Sequence, residues 1–384
     1  MFKRWIKPPR SSYILVGPRR AGKTTFLKKE YPDFDYITLD DFDYLTLAEK
    51  DPKAIVDGKK KLIIDEIQRV PKLTIAVKHA IDEHGSTIIM TGSSRIGLLD
   101  SAADSLAGRI KLMSMPTACW GEEDGEISHS IFNEKADPIQ IKKANRALER
   151  SIKYGGFPEI IQLPTELDQK EKLNDYKNTY FTRDLSLLSN IDNISALLAI
   201  LNYYAISIGS LTNVSNFSRE SGVSHQTAQK YLNVIYQADL GFKLLGYQFG
   251  PAKRHIKSAK SYFADNGIIE SLGGHCSSGQ LLENFVISEL EKRRKLNYID
   301  TDQFYYYQTI SGAEIDLVFE SKGIVHAIEV KSSKVVQNKD IRNLKSFIDE
   351  DKKNRKGFLF YNGEEYSEIE GINCIPIAAI YRGA

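Results

Sequence analysis

The sequence predicts an α/β fold. It reads as a parallel sheet whose first strand runs into a glycine loop, a helical segment, a two-helix unit with a hairpin, and a second α/β domain at the carboxyl end. Three observations carry this. The apolar run Tyr13–Val16 leads into a glycine-containing loop and then a helical pattern. A second apolar run within residues 60–70 ends in an acidic pair. Beyond residue 278, one amphipathic helix and several short strand patterns alternate. At 384 residues the chain is too long for one ordinary core and should divide into two to four units.

Composition bounds the function. The 42% hydrophobic and 27% charged content is that of a soluble globular protein. No apolar run approaches the ~18 residues of a membrane span. The start, MFKRWIKPPRSS, has no apolar targeting core, so a cytoplasmic protein without membrane attachment is expected. Cys119, Cys276 and Cys374 lie far apart and are expected to be reduced and structural. A formal charge of +2 neither supports nor excludes a nucleic-acid partner, because a basic patch can hide in a balanced total. There is no internal repeat and no low-complexity segment.

In the first unit, Gly17, Gly22, Lys23 and Thr24 satisfy G-x-x-x-x-G-K-[ST], with Pro18, Arg19, Arg20 and Ala21 between the glycines and Thr25 following. Such a loop wraps phosphates with backbone N–H groups, and the helix starting near Gly22 adds its partial positive charge. Lys23 would reach the β/γ oxygens and Thr24 would offer a hydroxyl to Mg²⁺. The strand within residues 60–70 ends in Asp65-Glu66. At the carboxyl edge of a parallel sheet Asp65 would hold the metal and Glu66 would polarise the attacking water. A third strand, STIIMTGSS, ends in Ser93 and Ser94, placed to touch the γ-phosphate or the water, and a helix-like stretch over residues 96–107 leads to Arg109.

In the middle of the chain, residues 151–163 and 168–188 read as helices, with Gly155, Gly156 and Pro158 forcing a turn between them. Arg183 could reach the nucleotide from here, although an ion pair with Asp184 is the alternative. Residues 196–265 read as a winged helix: a capped helix ending at Gly222, a second helix started by Ser224, and a hairpin. The second helix of such a unit can enter a major groove, and Ser224, His225, Gln226, Thr227 and Lys230 lie on its open face. Lys253, Arg254, Lys257 and Lys260 give the hairpin loop a local charge of +4, so DNA is the expected partner.

The motifs GPRRAGKTT, IIDEIQRVP, TGSS, LAGR and GGFPE, taken together, resemble AAA+ ATPases. More narrowly they resemble an archaeal and bacterial family whose C-terminal domain of unknown function is related to the PD-(D/E)XK nucleases. The resemblance implies four units: a P-loop ATPase core at 1–118, a helical lid at 119–195, the winged helix at 196–272, and the nuclease-like α/β domain at 273–384. It implies ATP and Mg²⁺ as cofactors and Ser93 or Ser94 as a sensor. It also implies a homo-oligomer such as a hexameric ring, in which Arg109, or Arg95 instead, reaches a neighbour's γ-phosphate.

On the nuclease-like fold, Asp316 and Glu329 would share a second Mg²⁺ or Mn²⁺ with help from the Val330 carbonyl. Lys331 would orient or deprotonate water, and Glu283 could join from the helix over 279–295. The E-x-K spacing puts Glu329 and Lys331 on one face of a strand. Ile315 stands where the family pattern has proline. The function expected is an oligomeric ATPase that remodels DNA. Branched or junction DNA is suggested by analogy with branch-migration motors and junction resolvases. The alternatives are an ATP-controlled endonuclease of defence or mobile-element biology, and a signalling NTPase switch whose accessory domains bind proteins.

Overall fold

The computed structural model describes residues 2–93, 106, 108–185, 191, 193–247, 259–309 and 311–384; for residues 181–184 it describes the backbone alone. Strand β1 (Tyr13–Val16) is wholly buried, as four consecutive apolar residues covered on both sides should be. Four further strands join it in one parallel sheet: β2 (Asp35–Thr38), β3 (Lys61–Asp65), β4 (Thr87–Gly92) and β5 (Lys111–Ser114), in the order β2-β3-β4-β1-β5. Helices α1 (Lys23–Glu30), α2 (Phe42–Lys50), α3 (Pro52–Val56) and α4 (Leu73–His84) complete this layer.

The two edge strands were not legible in the sequence. Tyr36 and Ile37 stand among polar neighbours in β2, and in β5 no residue is fully buried, so neither shows the apolar run of a central strand. The topology decides where chemistry can sit. All five strands point the same way, so Gly17, Asp65 and Ser93 gather at one carboxyl edge. Because β4 lies between β1 and β3, Ser93 stands between the glycine loop and the acidic pair.

The middle of the chain is helical. Asp137 caps α5 (Pro138–Tyr154), whose run ends where Gly155 takes φ 70°. Then come α6 (Pro158–Ile161), α7 (Glu166–Tyr176) and a π-helical continuation, Lys177–Asp184. Helix is thus found within both stretches expected to be helical, 151–163 and 168–188, of which residues 186–188 lie outside the described residues; the break comes at Gly155-Gly156 inside the first stretch. Next are α8 (Ile194–Ile206), α9 (Val214–Ser221) and α10 (His225–Gln237). Gly222 closes α9 in the left-handed region at φ 69°, and the Ser224 hydroxyl starts α10 by accepting the Thr227 N–H at 3.1 Å. Strands β6 (Gly241–Gly246) and β7 (Ala259–Phe263) form the expected hairpin.

The remaining elements are α11 (Asn266–Ser271), α12 (Ser278–Lys295), β8 (Tyr305–Gln308), β9 (Glu314–Ser321), β10 (Ile324–Lys331), α13 (Asn338–Asp349), β11 (Arg355–Tyr361), β12 (Ser367–Ile369) and β13 (Ile372–Pro376). The strand alternation sends Leu317, Phe319, Ile328, Phe358 and Phe360 into one core, and Val318, Ala327 and Leu359 into another against α13.

Here the architecture departs from four separate units. The hairpin belongs to the same eight-stranded sheet as the C-terminal strands, ordered β12-β13-β11-β10-β9-β8-β6-β7, with β6 pairing β8. One hydrophobic core runs from Trp120 to Tyr381 and takes in the helices of the middle segment. Among the described residues the first sheet has cores of its own, apart from the one that joins the middle helices to the C-terminal strands. Lys260 is a second correction: it is buried in β7 and ion-paired with Glu314, so it is not part of an exposed basic loop.

Candidate functional site

The glycine loop takes its shape from close backbone approach. A Cβ at Gly17 would stand 2.0 Å from the Met115 carbonyl oxygen, and Gly22 has φ 90° at the start of α1. The loop's carbonyls are tied up by side chains. Lys23 Nζ donates to Gly17 O (2.8 Å) and Pro18 O (3.0 Å), the Tyr176 hydroxyl to Arg19 O (3.5 Å), and Arg4 Nη1 to Ala21 O (2.7 Å). What such a loop offers an anion is its N–H groups. Burial pushes the Lys23 ammonium below the usual lysine range, against the pull of Glu66 and Asp65. An incoming phosphate would favour the charged form.

Asp65 is nearly fully buried and is held by three hydroxyls. Its Oδ2 accepts from Thr24 Oγ1 (2.7 Å) and the Tyr36 hydroxyl (2.6 Å), and its Oδ1 from Thr91. Hydrogen bonds of this kind are what make burial of a carboxyl group tolerable. Burial and the neighbouring Asp65 raise the Tyr36 hydroxyl well above its ordinary range, so it acts here as a donor. Next along the chain Glu66 has φ 60°, a strained choice for a residue other than glycine. Its carboxylate accepts from Gln68 Nε2 and from Ser93 Oγ (3.2 Å). A cavity of about 440 Å³ opens beside Gly22, Thr25 and Phe26, walled by Arg20, Pro158 and Glu159.

A second cluster forms in the C-terminal sheet. The antiparallel register Leu317↔Ile328 brings Asp316 opposite Glu329. Asp316 Oδ2 accepts the Val330 N–H (2.9 Å), and Lys331 Nζ lies 3.3 Å from Glu329 Oε2. Burial, then the Asp316 charge and a hydrogen bond to it, hold the Glu329 carboxyl well above its usual range. Glu283, from α12, is pushed up to about 7 by burial and by Asp316, with Lys260 opposing. The Glu283 carboxylate takes the Tyr262 hydroxyl at 2.8 Å. Among the described residues no group of three or more His, Cys, Asp or Glu is arranged to hold a metal ion. The cluster is thus a facing pair of carboxylates with Lys331 beside it, and Glu283 is turned to Tyr262.

Residues 9–123 match the family described as an AAA domain. They form an AAA domain. Residues 145–278 match a domain of unknown function (DUF8612), and residues 278–380 match a domain of unknown function (DUF4143). An uncharacterized protein of Methanocaldococcus jannaschii is 29% identical over 389 residues, covering 94% of this chain and 84% of that one. An uncharacterized protein of Mycobacterium tuberculosis is 26% identical over 332 residues, covering 83% of this chain and 69% of its own. Among solved structures, protein VC1899 from Vibrio cholerae aligns at 13% identity and a TM-score of 0.23, covering 96% of this chain and 95% of that one.

Within the AAA domain, the structure brings Gly17–Thr25, Asp65, Glu66 and Ser93 to one edge. Arg109 is not among them. It precedes β5 at the opposite edge of the sheet and pairs with Asp82 through Nε at 2.7 and 2.9 Å. A finger role would require that pair to open toward a neighbouring subunit. Ser94, Arg95, Lys253, Arg254 and Lys257 lie outside the described residues, as does the Arg183 side chain. Gln226 and Lys230 are exposed on α10. Among the described residues no helix is long and apolar enough to cross a membrane. Sequence reasoning missed Tyr36, Gln68 and Thr91. Thr91 carried a usable signal, because it lies two residues before Ser93 and faces the same side of β4.

Proposed function

We propose that the chain is an ATP-hydrolysing motor whose AAA domain drives a DNA-binding C-terminal half. The observation that carries the ATPase part is the double arrangement at the sheet edge: Asp65 held by Thr24, Tyr36 and Thr91, and Glu66 held by Ser93 and Gln68. A part-buried hydroxyl and a buried carboxylate 2.7 Å apart fit Mg²⁺, so Thr24 and Asp65 are the residues to hold it. Once bound, the ion neutralises charge on the β- and γ-phosphates. Lys23 binds those phosphates, Glu66 accepts a hydrogen bond from the attacking water, and Ser93 keeps the Glu66 carboxylate oriented. The cavity beside Gly22 and Pro158 has the size and apolar wall suited to the nucleoside.

The DNA part rests on the exposed face of α10 and on the expected basic loop with Lys253, Arg254 and Lys257. Branched DNA is the first substrate to try, by the analogy that suggested it. A ring of subunits, with Arg109 acting between them, belongs to the same proposal. A second reading, metal-dependent phosphodiester cleavage, is favoured by the facing Asp316 and Glu329 and the adjacent Lys331. Asp316 and Glu329 would be the residues to hold a divalent ion, which would supply Lewis-acid activation of a phosphate. Lys331 would then hold the water.

The test is phosphate release from ATP with Lys23→Ala and Glu66→Gln, alongside binding and nicking assays on linear and four-way-junction DNA. Lys23→Ala should lose nucleotide binding. Hydrolysis by Glu66→Gln at the parental rate would overturn the assignment of Glu66. DNA binding indistinguishable from that of a neutral control protein would leave the signalling-switch reading in its place.

A further inference from the structure

Asp265 follows β7 and is fully buried, yet three segments distant in sequence meet at its carboxylate. Oδ2 accepts from the Thr117 hydroxyl (2.5 Å), the Gly156 N–H (2.9 Å) and Lys292 Nζ (2.9 Å), and Oδ1 from the Gly267 N–H (2.9 Å). The fit tolerates no side chain: a Cβ at Gly155 would stand 1.8 Å from Asp265 Oδ1, and one at Gly156 2.3 Å from the Ala118 carbonyl oxygen. Two residues further on, Pro158 Cγ lies 3.8 Å from where a Gly22 Cβ would stand. Glu159 pairs with Arg20 at 3.5 Å and with Lys172 at 2.5 Å. The segment Gly155–Glu159 is therefore clamped at one end by Asp265, and at the other it walls the cavity beside the glycine loop. Lys292 belongs to α12, the helix that also carries Glu283.

We infer that Asp265 is a positioning residue for the nucleotide site, fixing Gly156 and through it Pro158 and Glu159 against the phosphate loop, and tying that wall to α12. The inference rests on the reading of residues 17–24 as a nucleotide site. A joint needed for stability alone could be apolar, because buried ion pairs gain little over apolar residues of the same volume. What the charged joint adds is one fixed geometry, which a binding wall needs. Because Glu159 has two cationic partners, a nucleotide that draws Arg20 toward its phosphates leaves Glu159 with Lys172, and the wall shifts against its clamp.

The experiment compares parent, Asp265→Asn and Thr117→Val. Asp265→Asn keeps the shape and one acceptor while removing the charge that faces Lys292; Thr117→Val removes one donor without changing charge, and so serves if the first variant fails to fold. ATP hydrolysis is measured against folded protein, and amide hydrogen exchange is followed with a non-hydrolysable ATP analogue. The expected result for Asp265→Asn is a KM raised about tenfold, the ratio for one lost bond to a charged group, with kcat nearly kept. A smaller shift of the same kind is expected for Thr117→Val. In the parent the analogue should slow exchange at residues 17–25, 155–159 and 289–293, and in Asp265→Asn at 17–25 only. If both variants lower kcat in step with folded fraction and leave KM alone, Asp265 is structural and the inference falls. Parental protection confined to 17–25 also overturns it while leaving the nucleotide reading standing. No protection at 17–25 removes that reading and the inference together.

Discussion

At the scale of single residues, the nucleotide edge is a problem of satisfying a buried carboxylate, Asp65, and three hydroxyl donors solve it. Tyr36→Phe removes one donor without opening a cavity. The Mg²⁺ concentration for half-maximal hydrolysis should rise about tenfold, as loss of one bond to a charged acceptor implies, with kcat little changed at saturating metal. A Mg²⁺ titration of phosphate release checks this. Glu66→Gln belongs to the same scale: the amide cannot take a proton from water, so turnover should fall by about 10²-fold or more while nucleotide affinity persists. The residues of the glycine loop and the acidic pair were legible because their chemistry needs fixed spacing along the chain. Tyr36 was not, because its partner lies 29 positions away and its strand is an edge strand without an apolar run. Lys260 was misread for a related reason. A lysine beside three other basic residues looks solvated, and only the pairing of β7 beside β6 shows it buried against Glu314.

At the scale of elements, capping residues made the helices readable: Ser224 and Gly222 bound α10 and α9 where the sequence placed them. The sheet was less readable, since strand order depends on contacts between distant segments. That the hairpin joins the C-terminal sheet through Leu245↔Tyr305 could not be inferred from either strand's pattern. This changes how the hairpin would present its loop to DNA, because β6 is held on both sides and β7 is the edge. If the loop carries the phosphate contacts, replacing Lys253, Arg254 and Lys257 by Ala should flatten the salt dependence of DNA binding by roughly two to three units. Lys230→Ala should flatten it by about one. Lys260→Met should leave the slope alone and lower stability, because its charge is spent on Glu314 within the fold. Salt-titrated fluorescence anisotropy with chemical denaturation separates these effects. A slope unchanged in the triple variant would move the DNA path away from the hairpin.

For the whole molecule, helix α12 carries a buried carboxylate, Glu289, and a half-buried one, Glu283, whose environments push in opposite directions. Glu289 is buried, which alone would raise its pKa, but the charges of Lys292 and Arg293 outweigh burial and hold it below the usual glutamate range. Its stabilising contribution is complete above the ordinary value of 4.5 and is lost as pH falls through the depressed one. Glu283 is the reverse. With its carboxyl pushed up to about 7, the folded state holds a proton that the unfolded chain has already released, so stability falls as pH rises from 4.5 to about 7. The span corresponds to at most about 3 kcal/mol, and Glu329, also raised, adds in the same direction. Without divalent ions, then, the unfolding free energy should peak on the mildly acidic side of neutrality rather than at pH 7 to 8. Urea denaturation between pH 4 and 8 measures this directly. Glu283→Gln should flatten the decline toward neutral pH, and Glu289→Gln should reduce the loss at acid pH at the expense of overall stability, since it leaves Lys292 and Arg293 with one carboxylate fewer. If Asp316 and Glu329 bind Mn²⁺, the ion must compete with the proton that the raised Glu329 carboxyl holds, so adding it at pH 7 should raise stability in the parent and not in Asp316→Ala. A stability profile that rises steadily from pH 4.5 to 8 in the metal-free parent would mean that the acid cluster is far better solvated than its burial implies.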